Sequence, residues 1–485
     1  MAEDVTVTTL TKVDTGVFDP RRFQEVLSAE AWMAFSDALD RAEETFKGRT
    51  IWNINSTGKG GGVAEMLYSL LAYAMGAGVD ARWRVIEGNP EFFRITKRIH
   101  NHLHGSPGDG GPLGPEEHAT YLDALEPNAE ALAKLVRPKD IVILHDPQTA
   151  GLVAPMKEVA DIVVWRCHVG LDVPNDIARN AWDFLDEHVE MADTHIFSRK
   201  EFVWLGLAPA KTVIIPPSID AFSPKNQELE RHAVEGILTA SGLIEGGDAG
   251  MATFVRAGGQ PGLVRRSAQL VDGGSALPAD ARIVTQVSRW DRLKDPLGVM
   301  LGFADHIAPG TDAHLVLAGP AVEAVSDDPE GAEVLEEVRA AHSEMAAETR
   351  TRIRLAALPM DDSEENAAIV NALQRRSDVV VQKSIAEGFG LTVAEGMWKA
   401  RPVVASRIGG IQDQIVDGVS GVLVSDPSAL AEYGAAVTRL LQDPRRAESM
   451  GNEAMNRVRT EFLGPRHLLQ YLELLSRLMQ RAAAS

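Results

Sequence analysis

The chain has 485 residues, 45% apolar and 24% charged, with a formal charge of −21 at pH 7; the length exceeds one ordinary core and sets an expectation of two domains. So acidic a chain is a poor general partner for nucleic acid or anionic membrane, which need basic surfaces, and no apolar run approaches the ~20 residues that cross a bilayer. A single cysteine, Cys167, excludes an intrachain disulfide. The opening residues show no basic-then-apolar leader, so the expected location is cytoplasmic.

The apolar spacing of "PRRFQEVLSAEAWMAFSDALDRAEETF" predicts one helix early in the chain. Short apolar runs then alternate with helical stretches: "RTIWNINS" (49–56), "DARWRVIE" (80–87), "DIVILHD" (140–146), "DIVVWRCHV" (161–169) and "KTVIIPPS" (211–218). This is βαβ arithmetic and implies a parallel sheet covered on both faces. Residues 234–281 are rich in glycine and poor in periodicity, which predicts a mobile linker or surface insertion. Alternation resumes at "RIVTQVSR" (282–289), with strands expected at 283–288, 313–318, 352–357, 378–382 and 402–405. Helices are expected at about 296–307, 330–349, 364–375, 391–400 and 428–441, and two more follow. The pattern predicts an α/β chain of two doubly wound, Rossmann-like domains facing across a cleft, with ligands at the carboxyl ends of the strands. The expected division is 1–218, a 219–281 linker or insertion, and 282–464, with a helix at 465–485 packing back on the first domain.

The stretch "QKSIAEGFGLTVAEG" (382–396) reads as strand, turn and helix. Gly388 and Gly390 allow close backbone approach to a ligand, and the amides of Gly390, Leu391 and Thr392 can point at an anion. Glu387 and Glu395 can each accept from the hydroxyls of a polyol. A phosphate flanked by two polyols describes a nucleotide sugar. The bland alternative is a capped helix with solvated glutamates. Arg289 and Lys294 follow a strand end and together can hold a diphosphate; a pair of surface cations is their alternative. "NSTGKGGGVAE" (55–65) places Gly60, Gly61 and Gly62 before a helix, without GxGxxG spacing. "ILHDPQ" and "WRCHV" end strands with His145, Asp146, Arg166 and His168, expected to line a site, whereas Cys167 should point into the core. Neither H-E-x-x-H nor CxxC occurs, so no metal is expected to be required, and the acid pairs Asp327–Asp328 and Asp361–Asp362 read as loop surface.

Together these residues resemble the retaining glycosyltransferases of GT-B fold, family 4, whose Glu-x7-Glu element matches Glu387 and Glu395, with Arg289 and Lys294 ahead of it. "NSTGKGGGVAEML", "FFRITKRIHNHLHG", "HDPQ", "WRCH", "IIPPSIDAFSPKN", "DDPEG" and "SIAEGFGLTVAEGMWKARPVV" look like the trehalose glycosyltransferring synthases, from about residue 49 to 475. The 234–281 stretch is longer than that resemblance leads one to expect. The resemblance implies reversible transfer of glucose from an NDP-glucose to free glucose, giving α,α-trehalose, with no cofactor and with a homodimer admissible. It implies that Glu395 holds the ribose, that Arg289 and Lys294 hold the diphosphate, and that Glu387 with Gly388, Phe389 and Gly390 holds the donor sugar. His168 would touch that sugar, and Gly61, Gly62, Asp146 and Arg166 would receive the acceptor. A trehalose phosphorylase, a family 4 transferase with another small acceptor, and a non-catalytic nucleotide-sugar sensor are the rival readings.

Overall fold

In a computed structural model, the described residues are 10–58, 61–322 and 329–484. Gly60 and the Asp327–Asp328 pair lie outside them. The chain divides into two compact units, residues 1–218 with 464–485, and 219–463.

Unit 1 is built on a seven-stranded sheet. Its strands are β1 (Thr11–Val13), β2 (Ile51–Asn55), β3 (Ala81–Val85), β4 (Ile141–His145), β5 (Ile162–Cys167), β6 (Thr194–Phe197) and β7 (Thr212–Ile214), in the order β1-β3-β2-β4-β5-β6-β7. All neighbours are parallel except the edge strand β1, which runs antiparallel to β3. Strands β2, β4 and β5 are buried along their whole length, as a sheet covered on both faces demands. The order reverses between β2 and β4, and that switch point is where doubly wound sheets bind ligands.

The predicted first helix is two elements. A 3-10 turn, Pro20–Glu25, ends before Ser28, whose hydroxyl caps a new helix, Ala29–Thr45, by accepting from the Ala31 amide. A serine with extended backbone here stops one helix and starts the next. Strand β7 is shorter than 211–218, because Pro216 and Pro217 cannot donate to a ladder.

Unit 2 carries β8 (Thr253–Val255), β9 (Pro261–Leu263), β10 (Gln269–Leu270), β11 (Ile283–Val287), β12 (His314–Pro320), β13 (Ile353–Leu358), β14 (Val379–Gln382), β15 (Val403–Ser406) and β16 (Val422–Val424). Its main sheet has the order β10-β13-β12-β11-β14-β15-β16, with a switch point between β11 and β14, and β8-β9 form a separate hairpin.

The expectation of a mobile linker is corrected here. Residues 231–281 fold onto unit 2 through the helix Arg231–Ala240, the β8-β9 hairpin and β10, which pairs antiparallel with β13. Val234, Ile237, Leu238, Leu243, Ile244 and Phe254 are buried in one cluster with Val316, Ala318, Ile369 and Leu373. Each such side chain contributes roughly 1.5–3 kcal/mol on burial, enough to hold a segment whose regular elements are very short. Arg256 anchors the hairpin by donating to Asp362 at 2.8 Å and Glu364 at 2.7 Å. Asp362 is thus a structural partner and caps the helix Ser363–Arg376, while Asp361 is exposed.

Candidate active site

In unit 2 the loops after β11 and β14, which flank the switch point, are tied to each other. Gln286 donates from Nε2 to the Lys294 carbonyl at 2.9 Å and accepts from the Lys383 amide at 3.1 Å. The Ile385 amide donates to the Leu293 carbonyl at 2.7 Å. This bracing brings Lys294 Nζ to 2.6 Å from Glu387 Oε2, and Ser384 Oγ donates to the same oxygen at 3.3 Å. The pair is largely buried, with the side chains 17% and 12% exposed. Arg289 is more open and its guanidinium meets Asp291 at 2.6 Å. Each cation therefore has a carboxylate partner in this structure.

Gly390 has φ 79° and begins the helix Leu391–Trp398. The first N–H groups of that helix have no intrahelical acceptor, and their dipoles favour an anion. Gly409 and Gly410 lie under the turn: a Cβ on Gly409 would come 1.8 Å from the Glu387 carbonyl oxygen. Only glycine, with φ 45° there, lets the two loops close. Gln414 Nε2 donates to the Phe389 carbonyl at 2.5 Å and the Gly390 carbonyl at 3.2 Å, fixing the turn from behind. The Phe389 ring is buried against Phe462 at 5.8 Å, so its backbone alone is presented. Thr392 Oγ1 donates to Gln382 Oε1 at 3.0 Å, which locks the helix start to the end of β14.

Glu395 is buried, and its Oε2 has no hydrogen-bond partner among the described residues. Lys225 Nζ lies 3.6 Å from Oε1, and the buried Lys399 ammonium donates to the Glu395 carbonyl at 3.1 Å and to Asn226 Oδ1 at 3.0 Å. Burial pushes the Lys399 ammonium well below its ordinary pKa, with Glu395 pulling the other way. An orphaned buried carboxylate oxygen is costly, and a ligand hydroxyl would satisfy it. Lys225 and Lys399 went unnoticed in the sequence, since a single lysine there carries no signal.

In unit 1 the site residues end β2, β4 and β5. Asp146 follows β4 with φ 64°, a conformation that costs a non-glycine residue of order 1 kcal/mol or more. Its Oδ1 accepts from the His168 amide at 2.8 Å. Burial pushes the Asp146 carboxyl up to about 7, opposed by the His168 amide and Arg166. His168 is buried and joins a chain in which its Nε2 lies 3.2 Å from His145 Nδ1, while His145 Nε2 lies 3.0 Å from Asn53 Oδ1. Burial holds both imidazoles below their usual pKa, and therefore neutral near pH 7. Gly61, with φ 79°, and Gly62 are exposed at the start of the helix Gly61–Gly76, and among the described residues beyond its chain neighbours no atom lies within 4 Å of a Cβ built on Gly61. Cys167 is buried in the apolar core.

Arg166 differs from expectation. Successive residues of a strand point to opposite faces, and Arg166 emerges on the face covered by the helix Gly464–Ala484. It is fully buried, bonded to His467 Nε2 at 2.8 Å, Tyr471 Oη and the Ile215 carbonyl. Its guanidinium fastens that helix instead of facing a sugar. A cavity of about 830 Å³ in unit 2, lined by Asp272, Arg339, His342, Arg350 and Arg354 among others, contains none of the residues singled out in the sequence.

Comparison with known proteins joins these observations. The family model "Trehalose synthase, N-terminal domain" matches residues 53–204, and "Glycosyl transferases group 1" matches residues 272–457. A trehalose synthase of Pyrococcus horikoshii is 36% identical over 441 residues, covering 91% of this chain and 92% of that one. One of Thermococcus litoralis is 34% identical, covering 94% and 96%. Among solved structures, an α,α-trehalose-phosphate synthase (UDP-forming) from Burkholderia vietnamiensis superposes with a TM-score of 0.63 at 16% identity, covering 88% of this chain and 98% of that one. A sucrose-phosphate synthase from Thermosynechococcus elongatus gives 0.61 at 19%, covering 90% and 100%. Two seven-stranded Rossmann-like units of this kind define a glycosyltransferase of GT-B fold. Within that class, the chain belongs to the trehalose synthase family.

Proposed function

We propose that the protein transfers glucose, with retention of configuration, from an NDP-glucose to free glucose, forming α,α-trehalose reversibly. The Lys294–Glu387 pair at the unit 2 switch point carries this reading, and the likeness to trehalose synthases along nine-tenths of the chain supports it. Lys294 and Arg289 hold the donor diphosphate, and Glu395 takes the ribose hydroxyls on its open Oε2. Glu387, with the amides of Gly388, Phe389, Gly390, Leu391 and Thr392, holds the donor sugar and the phosphate next to it. His168 contacts the donor sugar. Gly61 also serves the donor, and Gly62 and Asp146 receive the acceptor, with Arg166 bracing the strand between them.

The bond that breaks joins the anomeric carbon to a phosphate oxygen. The bond that forms joins that carbon to the acceptor hydroxyl, whose proton passes to the departing phosphate on the same face. The transition state has oxocarbenium character, so negative charge grows on the diphosphate. Lys294, whose ammonium turns from Glu387 to phosphate when the donor binds, meets that charge. Glu387, so released, accepts from sugar hydroxyls. Cations and amide dipoles neutralise the leaving group, and no metal is required for the step.

A trehalose phosphorylase is the second reading, since the Pleurotus sajor-caju protein of that name is 26% identical over 84% of this chain and 55% of its own length. Incubating the protein with glucose and, separately, ADP-, UDP- and GDP-glucose tests the proposal. Trehalose should appear from at least one donor. If it appears only from glucose 1-phosphate, the phosphorylase reading replaces it.

A further inference from the structure

Two helices of unit 1, Pro115–Ala133 and Asp176–Val189, bring three metal-ligating side chains together, none of them among the residues discussed above. His118 Nε2 and His188 Nε2 face each other at 2.9 Å. Glu187 Oε1 lies 3.1 Å from the first and 3.7 Å from the second. Among the described residues, this is the one group of three or more histidine, cysteine or carboxylate ligands so gathered.

We propose that His118, Glu187 and His188 form a binding site for one divalent transition-metal ion, with nickel, copper or zinc as its chemical class. Atoms at these three separations lie on a circle of radius about 1.9 Å. The two rings are within 9° of parallel with centroids 5.1 Å apart, so their Nε2 atoms meet nearly head-on, and an ion about 2.1 Å from each ligand is reached when the imidazoles turn so that both lone pairs face it.

The protonation states suit this. Two imidazole nitrogens at hydrogen-bond distance share one hydrogen, and moving it to Nδ1 of its own ring frees both Nε2 lone pairs. His188 is buried, with its side chain 8% exposed, whereas Glu187 is 67% exposed. The ion thus has a fixed inner ligand and open positions for water. The protein's net charge of −21 concentrates cations at its surface.

The site would bolt the two helices together. Tyr121, one turn from His118, donates to the Pro147 carbonyl at 2.7 Å and accepts from the Gly151 amide at 2.9 Å.

The test is calorimetric titration of the tag-free full chain, stripped with chelator, with nickel chloride and with zinc chloride. One ion per chain should bind. His118→Ala and, separately, the surface change Glu187→Gln should each weaken binding, the first by at least about tenfold, or ~1.4 kcal/mol. A rise in melting temperature on adding nickel should vanish in His118→Ala. Absence of stoichiometric uptake overturns the proposal. So does undiminished binding by His118→Ala, which would direct attention to the neighbouring His100 and His104 rings, 5.0 Å apart. Neither outcome bears on the glucosyl-transfer reading.

Discussion

Lys294 and Glu387 are 93 residues apart in the chain, and their side chains meet at 2.6 Å across the switch point of the unit 2 sheet. In the free protein each neutralises the other, so neither is left as a buried unpaired charge. Donor binding exchanges that partner for a phosphate and a sugar hydroxyl.

Lys294→Ala should accordingly lower kcat by about 10²–10³, the range for removing one preorganised charge at a leaving group. The KM for glucose should change little, because the contact strengthens as the phosphate departs. Steady-state kinetics in which kcat held while only KM rose would count against the leaving-group role.

Glu395→Gln keeps the shape of the buried side chain but removes the charge facing Lys225 and the Lys399 ammonium. Nucleoside diphosphate affinity should fall by about tenfold or more, since hydrogen bonds to a charged group are worth ~1.5–3 kcal/mol. Calorimetry showing unchanged nucleotide affinity would remove Glu395 from the ribose.

Arg166→Leu should destabilise unit 1 because it strips His467, Tyr471 and the Ile215 carbonyl of a shared donor. Breaking a buried charged network costs about 3–5 kcal/mol. A fall in the melting temperature, with kcat of the folded fraction largely kept, is the expected result. Loss of kcat without loss of stability would return Arg166 to the substrate.

Asp146 and its neighbouring histidines make stability depend on pH in opposite senses. Its folded pKa is raised to about 7, so the folded chain binds the extra proton. Its contribution is greatest in acid and is lost as pH rises through about 7. His145, His168 and His467 are depressed. The unfolded chain binds their protons first, and their contribution is lost as pH falls through about 6.5. Asn keeps an acceptor for the His168 amide and tolerates positive φ. The melting temperature of Asp146→Asn should therefore rise relative to the wild type as pH goes from 5 to 8. A constant difference across that range would refute the assignment.

Chelation should separate the two proposals. EDTA should leave glucosyl transfer nearly intact while abolishing any metal-dependent gain in melting temperature. Loss of activity restored by magnesium would overturn the metal-free reading of the reaction.

The two main series of strands were legible because each is a short, nearly continuous apolar run ending in polar residues, as "DIVILHD" and "DVVVQ" show. Strands β1, β8, β9, β10 and β16 have two or three residues each, too few for a period of two to register. The same brevity disguised residues 231–281, whose order comes from burial against β12 and β13 and from Arg256. Glu387, Lys294 and Asp146 stood out because each follows a strand end. The direction of Arg166 was hidden, because it depends on which helix covers that face of β5. Lys225, Lys399 and Asn53 reach their partners only through tertiary packing.

The helix Gly464–Ala484 belongs with unit 1 although all of unit 2 precedes it. It supplies His467 and Tyr471 to Arg166 and packs Leu474, Leu475 and Leu478 against Ile141, Ile143 and Val164. During synthesis, unit 2 can close its core as soon as residue 463 has left the ribosome. The earlier-made sheet must wait, one face greasy and holding a bare guanidinium, for the final stretch. The strands translated first are thus the last to have this face covered.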